Sequence, residues 1–148
     1  YSSSYFSLAT VPLTLKKNAD RFQDWDDLNQ SDVSVAATLG TTQEKQVKDF
    51  FPNANHRIVE APARDFQEVL AGRADANITS NVEANKLVAK YNQIMIVPVA
   101  EGRAPTPIAM LLPQADQVWI NYVNTWITLK QEQGFFENLG KKWQLLSE

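Results

Sequence analysis

The sequence predicts an α/β fold with a mainly parallel, doubly wound sheet and helices at its C-terminal end. Segments of strand character alternate with helical segments between residues 33 and 99, and this alternation is typical of successive βαβ units. Two of the helical segments begin with Thr or Ser followed three residues later by Glu. This capping-box pattern marks a helix start directly after a strand.

The first β-to-α step begins with a strand over residues 33–39, which are mostly small or β-branched and are followed by Gly40. Thr41 and Glu44 are predicted to close a capping box, in which Thr41 accepts from the backbone and Glu44 reaches back. Pro52 ends the helix, because the residue before a proline disfavours helical backbone.

Two more steps follow along the chain. Residues 57–60 form a short strand, and apolar residues at i, i+3 and i+4 then predict a helix that ends at Gly72. Residues 74–79 form the next strand. Ser80 and Glu83 form a second predicted capping box, which starts another helix.

The remaining elements are a strand over residues 94–99 and the two ends of the chain, which do not follow the alternation of strands and helices. Residues 6–15 and 107–112 are predicted to be extended. Residues 117–130 carry aromatic and aliphatic side chains at helical spacing, and a second helix follows Gly134. We interpret the aromatic stripe as packing, since such stripes form core surfaces more often than ring-binding sites.

Composition excludes several classes of function. The chain has 14 Lys and Arg against 17 acidic residues and no basic cluster, so neither nucleic acid nor an anionic membrane is expected as a partner. No apolar run approaches the roughly 18 residues of a membrane span. With no cysteine and His56 as the only histidine, we predict no metal site and no cofactor.

Two predicted helix starts are candidate binding sites, because ligands of open α/β sheets bind beyond the carboxyl ends of the strands. Gly40, Thr41 and Thr42 combine close backbone approach with hydroxyl donors, which suits a carboxylate or phosphate. Thr79, Ser80 and Asn81 offer hydroxyl and amide groups without a charge at the second start. Helix capping alone also explains Thr41 and Ser80.

Several motifs, in their order, resemble the family 3 extracellular solute-binding proteins. They are VSVAATLGTTQEK, FQEVLAGRADANIT, LLP and a final helix that begins GFF and ends KW. The resemblance covers nearly the whole chain. VPLTL-like and RFQ-like segments and an I-T-x-x-x-E-A run also resemble the cyclohexadienyl dehydratase branch of that superfamily.

The resemblance implies a lobe of the type II periplasmic binding fold, in which the chain crosses twice between two lobes. It assigns residues 1–15 to the first hinge strand, 16–105 to the second lobe, and 106–148 to the returning hinge strand and C-terminal helices. The first lobe would be largely absent. A chain without it is expected to self-associate or intertwine, with the helix over residues 119–129 packed outside the sheet or against a partner.

The resemblance also implies roles for the candidate residues. Thr41 and Thr42 would bind a ligand carboxylate, whereas amino-acid binders of the family carry an aspartate where this chain has Ser80 beside Asn81. That aspartate makes a charge-assisted hydrogen bond worth about 1.5–3 kcal/mol. We therefore expect a preference for carboxylates without a free α-amino group.

Glu83 matches the glutamate that the dehydratase branch uses as its general acid. A closed, dry cleft would favour this role, because desolvation raises the pKa of a carboxyl group. It is also the third helical residue of the Ser80 capping box, and we favour this structural role. No catalytic residue is therefore predicted unless the protein is dehydratase-like. The predicted ligand-binding residues are Gly40, Thr41, Thr42, Ser80, Asn81 and Glu83.

The predicted function is the periplasmic solute-binding component of an ABC-type importer, with its export signal removed. Its ligand would be a small polar carboxylate or an amino-acid-like molecule, and its partner a membrane permease. Two alternatives remain open: a cyclohexadienyl dehydratase-like enzyme acting on prephenate or arogenate, and the sensor or effector domain of a regulatory protein of the same fold.

Overall fold

A six-stranded sheet is the centre of the computed structural model, which describes residues 1–146. The strands are β1 (Phe6–Leu15), β2 (Ser34–Thr38), β3 (Asn55–Val59), β4 (Ala76–Ser80), β5 (Ile94–Ile96) and β6 (Arg103–Ile108). The helices are α1 (Trp25–Leu28), α2 (Thr42–Phe50), α3 (Asp65–Leu70), α4 (Asn81–Lys90), α5 (Gln117–Glu132) and α6 (Phe135–Lys142). A 3₁₀ turn, Lys16–Asn18, follows β1.

The strand order is β3-β2-β4-β1-β5, with β6 paired to β1. β2 is parallel to both β3 and β4, whereas β1 is antiparallel to β4, β5 and β6. Consequently β2, β3, β4 and β5 all run in one direction, as the alternation predicted. The α/β class is confirmed, but the sheet is mixed rather than mainly parallel, because β1 lies between β4 and β5.

Helices cover both faces of the sheet, as a doubly wound arrangement requires. Alternate residues of β2 point to opposite faces, so Val35 and Ala37 pack under α1 and α2, while Ala36 packs under α3 and α4. The first core cluster includes Phe22, Trp25, Leu28, Val47, Phe51 and Ile78, and the second includes Leu13, Leu15, Val69, Ala84, Leu87 and Ile94.

The returning strand begins earlier than predicted, at Arg103 rather than at residue 107. Pro105 and Pro107 lie within β6, and prolines ordinarily argue against a strand. They are tolerated here because β6 pairs only with β1 and is an edge strand, where missing N–H groups leave no partner unsatisfied.

α5 lies outside the sheet, as predicted. Val123 and Ile127 are its buried residues, and Asn124 Oδ1 accepts a 2.7 Å hydrogen bond from the backbone N–H of Ser3. Trp119 and Tyr122, which line one cavity together with Val123, remain exposed, and their rings stack 5.5 Å apart. The aromatic stripe is therefore only partly core. Among residues 1–146 no helix has the length and hydropathy that crossing a bilayer requires.

An ion-pair cluster holds α3 against the sheet. The side chain of Glu68 is only 7% exposed and accepts from Arg57 Nε at 2.6 Å and from Arg73 Nη2 at 2.8 Å. These two guanidinium groups, Arg73 more than Arg57, lower the pKa of Glu68 to about 2. Because the folded-state pKa lies below its ordinary value of 4.5, stability from the ionised carboxylate is complete above that pH and is lost as the pH falls toward 2.

Replacing Glu68 with glutamine is therefore expected to lower the melting temperature at neutral pH, because it removes the ionised partner of two arginines. The loss of melting temperature between pH 4.5 and pH 2 should also become smaller than in the wild type. Thermal melting across this range, with Glu137→Gln in the exposed pair with Lys141 as control, measures both effects. If the melting temperature of the Glu68 variant depended on pH as that of the wild type does, the ionised Glu68 would not be the source of this stability.

Candidate functional site

A polar cavity of about 110 Å³ lies at the carboxyl edge of β2 and β4. The carboxyl ends of these neighbouring parallel strands meet at one edge of the sheet, and α2 and α4 begin there. α3 begins at the same edge, after β3. The lining residues are Thr38, Thr41, Gln43, Arg64, Asp65, Thr79 and Glu83.

The start of α2 is capped by Thr41, as predicted. Its Oγ1 accepts from the Glu44 N–H at 3.3 Å and donates to the Thr38 carbonyl at 2.6 Å. The second half of the predicted box is wrong, because Glu44 Oε2 accepts from the N–H of Gly40, at 2.8 Å, rather than from that of Thr41. A hydrogen bond from Lys48, followed by the Gly40 bond, lowers the pKa of Glu44.

These contacts decide which groups of the predicted anion site are available. The N–H of Gly40 and the hydroxyl of Thr41 are already used within the protein. Thr42 and Gln43 are the first two helical residues, and N–H groups at these positions have no acceptor in a preceding turn. Together with the positive end of the helix dipole, they form the part of this site suited to a carboxylate.

At the start of α4 only the Ser80 half of the predicted capping box is present. Ser80 Oγ accepts from the N–H of Glu83 at 3.2 Å, which is the expected cap. The Glu83 carboxylate does not return to Ser80. Its Oε2 accepts from the Thr79 hydroxyl at 2.5 Å and its Oε1 from Arg64 Nη2 at 2.7 Å. The prediction that Glu83 closes a capping box was therefore wrong, because a cation and a hydroxyl from neighbouring elements hold its carboxylate instead.

Asn81 connects the start of α4 to β1. Its Oδ1 accepts from the N–H of Ala9 at 3.3 Å and from that of Val82 at 3.1 Å. Of the six predicted ligand-binding residues, the structure places Thr41 and Glu83 on the cavity wall. Of the other four, Gly40 and Thr42 flank Thr41, and Ser80 and Asn81 directly follow Thr79, which also lines the cavity.

Arg64 and Asp65 were missed by the sequence analysis, although both line the cavity. They start α3, where Arg64 N–H donates to Gln67 Oε1 at 3.0 Å. Asp65 is 8% exposed, and its Oδ1 accepts from the Phe66 N–H at 2.9 Å. Burial raises the pKa of Asp65, and the Phe66 hydrogen bond opposes this effect. The sequence could have indicated them, because ligands of open α/β sheets bind beyond the carboxyl ends of the strands. This principle, which was applied to the starts of α2 and α4, holds equally for the start of α3.

Seven polar or charged side chains, from two strand ends and three helix starts, thus meet at one edge of the sheet, which suits recognition of a small zwitterion or anion. Among residues 1–146 no group of three or more His, Asp or Glu side chains is arranged to hold a metal ion. The charges present are one guanidinium and two carboxyl groups, all from the starts of α3 and α4.

No protein-family model matches the chain. Among curated proteins it is similar to the cyclohexadienyl dehydratase of Pseudomonas aeruginosa, with 24% identity over 143 residues, 97% of this chain and 53% of that protein. It is also similar to the L-cystine-binding protein TcyJ of Escherichia coli, with 25% identity over 143 residues and the same shares. The chain therefore spans about half the length of the curated relatives it matches.

Solved structures extend this similarity. An ancestral cationic amino acid solute binding protein has 34% identity and a TM-score of 0.79, over 96% of this chain and 60% of that one. The unliganded open L-cystine solute receptor of Neisseria gonorrhoeae also has a TM-score of 0.79, over 96% of this chain and 58% of its own. Its identity is 16%, so this second match supports the fold alone.

Proposed function

Because the chain belongs to the bacterial solute-binding protein family 3 and folds as an α/β lobe of the type II periplasmic binding proteins, we propose that it forms one wall of the ligand cleft in the amino-acid-binding component of an ABC importer. The observation that carries the proposal is the polar cavity where α2, α3 and α4 begin together. Helix starts and converging polar groups at a sheet edge suit a small charged ligand.

In this proposal the ligand carboxylate lies at the start of α2, where Thr42 and Gln43 present N–H groups. The chain spans about half of the curated proteins it resembles, so a second wall outside residues 1–148 would complete the site. β1 and β6 pair side by side and would be the two strands that leave this lobe toward that wall. Closure of the two walls on the ligand would create the form that a membrane permease recognises, in the periplasm.

The enzyme alternative has one observation in its favour. Glu83 lies on the cavity wall, and the chain is similar to a cyclohexadienyl dehydratase. A general acid must carry a transferable proton. Here both Glu83 oxygens accept hydrogen bonds, one from Arg64 and one from Thr79, which is the bonding of a carboxylate. This arrangement favours the binding function over elimination of water and carbon dioxide from prephenate.

The anion site can be tested at Thr42. Proline is tolerated at the first helical position and removes both the N–H and the hydroxyl of this residue. Thr42→Pro in the full-length protein should therefore weaken amino-acid binding about tenfold to a hundredfold, as expected for losing about 1.5–3 kcal/mol of hydrogen bonding to a charged group. Isothermal titration calorimetry against a panel of L-amino acids and L-cystine measures the change.

Thr42→Val is the matched control, since it removes the hydroxyl and retains the N–H. If both variants bind as tightly as wild type, the carboxylate does not lie at α2. If the wild type binds no member of the panel but forms phenylpyruvate from prephenate, the enzyme alternative replaces the binding function.

A further inference from the structure

An unpartnered carboxamide lies inside the sheet, on Asn77 in β4. Asn77 is 1% exposed, and among residues 1–146 neither its Nδ2 nor its Oδ1 has a hydrogen-bond partner. It pairs with Leu13 on β1 and with Ala36 on β2, and both of these residues belong to the second core cluster. A buried polar group without a partner lowers stability, so its presence in an apolar cluster calls for a reason.

The start of α3 places a buried acid over the same face of the sheet. Asp65 is the first residue of α3, and its N–H donates to Oγ1 of Thr38, at the end of β2, at 3.3 Å. Asp65 and Thr79 both line the cavity. Thr79 follows Asn77 by two residues in β4, so their side chains share one face of the strand. Asn77 therefore lies beneath the cavity wall, on the side where Asp65 packs.

The charge of the Asp65 carboxyl depends on a small set of neighbours. Burial raises its pKa above the ordinary value of 3.8, and the negative charge of Glu83 on α4 adds to this effect. The Phe66 N–H, the Arg64 guanidinium and, most weakly, the Asn77 side chain lower the pKa. Asn77 thus acts on this carboxyl, although the two groups do not meet at full hydrogen-bond geometry.

We propose that Asn77 is a positioning residue, which from inside the sheet holds the Asp65 carboxylate ionised in a pair that a proton can break. Its Nδ2 is a donor suited to an ionised carboxylate, and protonation of Asp65 removes the charge that strengthens this contact. The same proton removes one of the two negative charges on the cavity wall, which Asp65 shares with Glu83.

This role explains why a carboxamide occupies an otherwise apolar position. The pair makes the charge of the cavity wall depend on pH, and it does so whichever ligand the cavity takes. The inference therefore goes beyond the proposed function, and it can be tested without a ligand.

Carbon-13 NMR of the aspartate carboxyl carbons in the full-length protein tests the pair directly, with Asp65→Asn to assign the signal. Wild-type Asp65 should titrate above the ordinary value of 3.8. In Asn77→Val its midpoint should move to a still higher pH, because the carboxylate loses a donor and keeps its burial. Thr14→Val is the matched control. Thr14 is also a fully buried polar residue, on the neighbouring strand β1, but it lies outside the cavity lining, so its loss should leave the Asp65 midpoint unchanged.

Thermal melting across the pH range provides a second readout. At low pH, where Asp65 is protonated, Asn77→Val should raise the melting temperature by about 2–4 °C, because it removes polar atoms that lack partners. This gain should shrink or reverse as the pH rises. The folded-state pKa of Asp65 is raised further in the variant, and an acid with a raised pKa loses stability as the pH rises through it. In an Asp65→Asn background the effect of Asn77→Val should be the same at every pH.

An Asp65 midpoint that is identical in the wild type and Asn77→Val would overturn the inference. A gain in melting temperature that does not change with pH would also overturn it, as would a pH-dependent gain that persists in the Asp65→Asn background. If Asn77→Val does not fold, Asn77→Ala is measured in the same two ways, since the smaller side chain cannot overpack the cluster.

Discussion

Replacing Phe51 with alanine is expected to lower the free energy of unfolding by about 3–5 kcal/mol, the cost of removing a large ring from a packed core. Phe51 is fully buried at the end of α2. Its ring stacks on Trp25, with centroids 5.9 Å apart, and meets the edge of Phe50 at 6.2 Å. The surrounding strands and helices cannot close the resulting cavity completely, because they are fixed by their own hydrogen bonds.

Urea denaturation followed by tryptophan fluorescence would give this change as a shift in the transition midpoint at constant slope. Phe50→Ala is the matched control, since Phe50 is adjacent but only partly buried, and its loss should be clearly smaller. A loss below about 1.5 kcal/mol for Phe51→Ala would contradict tight packing of Phe51 in the first core cluster.

Replacing Gly102 with alanine is expected to cost about 1–3 kcal/mol through overpacking. A Cβ at this position would lie 2.7 Å from the Cβ of Ala9 and 3.2 Å from the carbonyl oxygen of Thr10. Both atoms belong to β1, which cannot move away without disturbing its pairing with β4 and β6. The close approach occurs directly before β6 begins at Arg103.

Gly140→Ala provides the contrast for Gly102. A Cβ there would lie 2.8 Å from Cδ1 of Leu146, the far end of a side chain that can rotate away. Alanine is also the better helix former by about 1 kcal/mol, and Gly140 lies within α6. Thermal or urea unfolding should therefore show destabilisation for Gly102→Ala and little loss, or a gain, for Gly140→Ala. Equal losses at both sites would contradict the close approach of β6 to β1.

The α/β class and most element positions could be predicted from the sequence because they depend on neighbours along the chain. The strand of residues 33–39 is observed as Ser34–Thr38, and the helix predicted after Thr41 as Thr42–Phe50. Capping of these helices by Thr41 and Ser80 was also correct, since a cap bonds to a group only three residues away. The aromatic stripe of α5 was located correctly, although only part of it is buried.

The tertiary structure alone decided where β1 lies and what Glu83 binds. β1 enters the sheet between β4 and β5 through pairings with residues more than 60 positions away, such as Thr10 with Ser80. Glu83 contacts Arg64, 19 residues earlier, because α3 and α4 begin at the same edge of the sheet. Local patterns predict which segments fold into strands and helices and how each begins. The partner of a charged side chain at a helix start depends on which other helix start the sheet brings beside it.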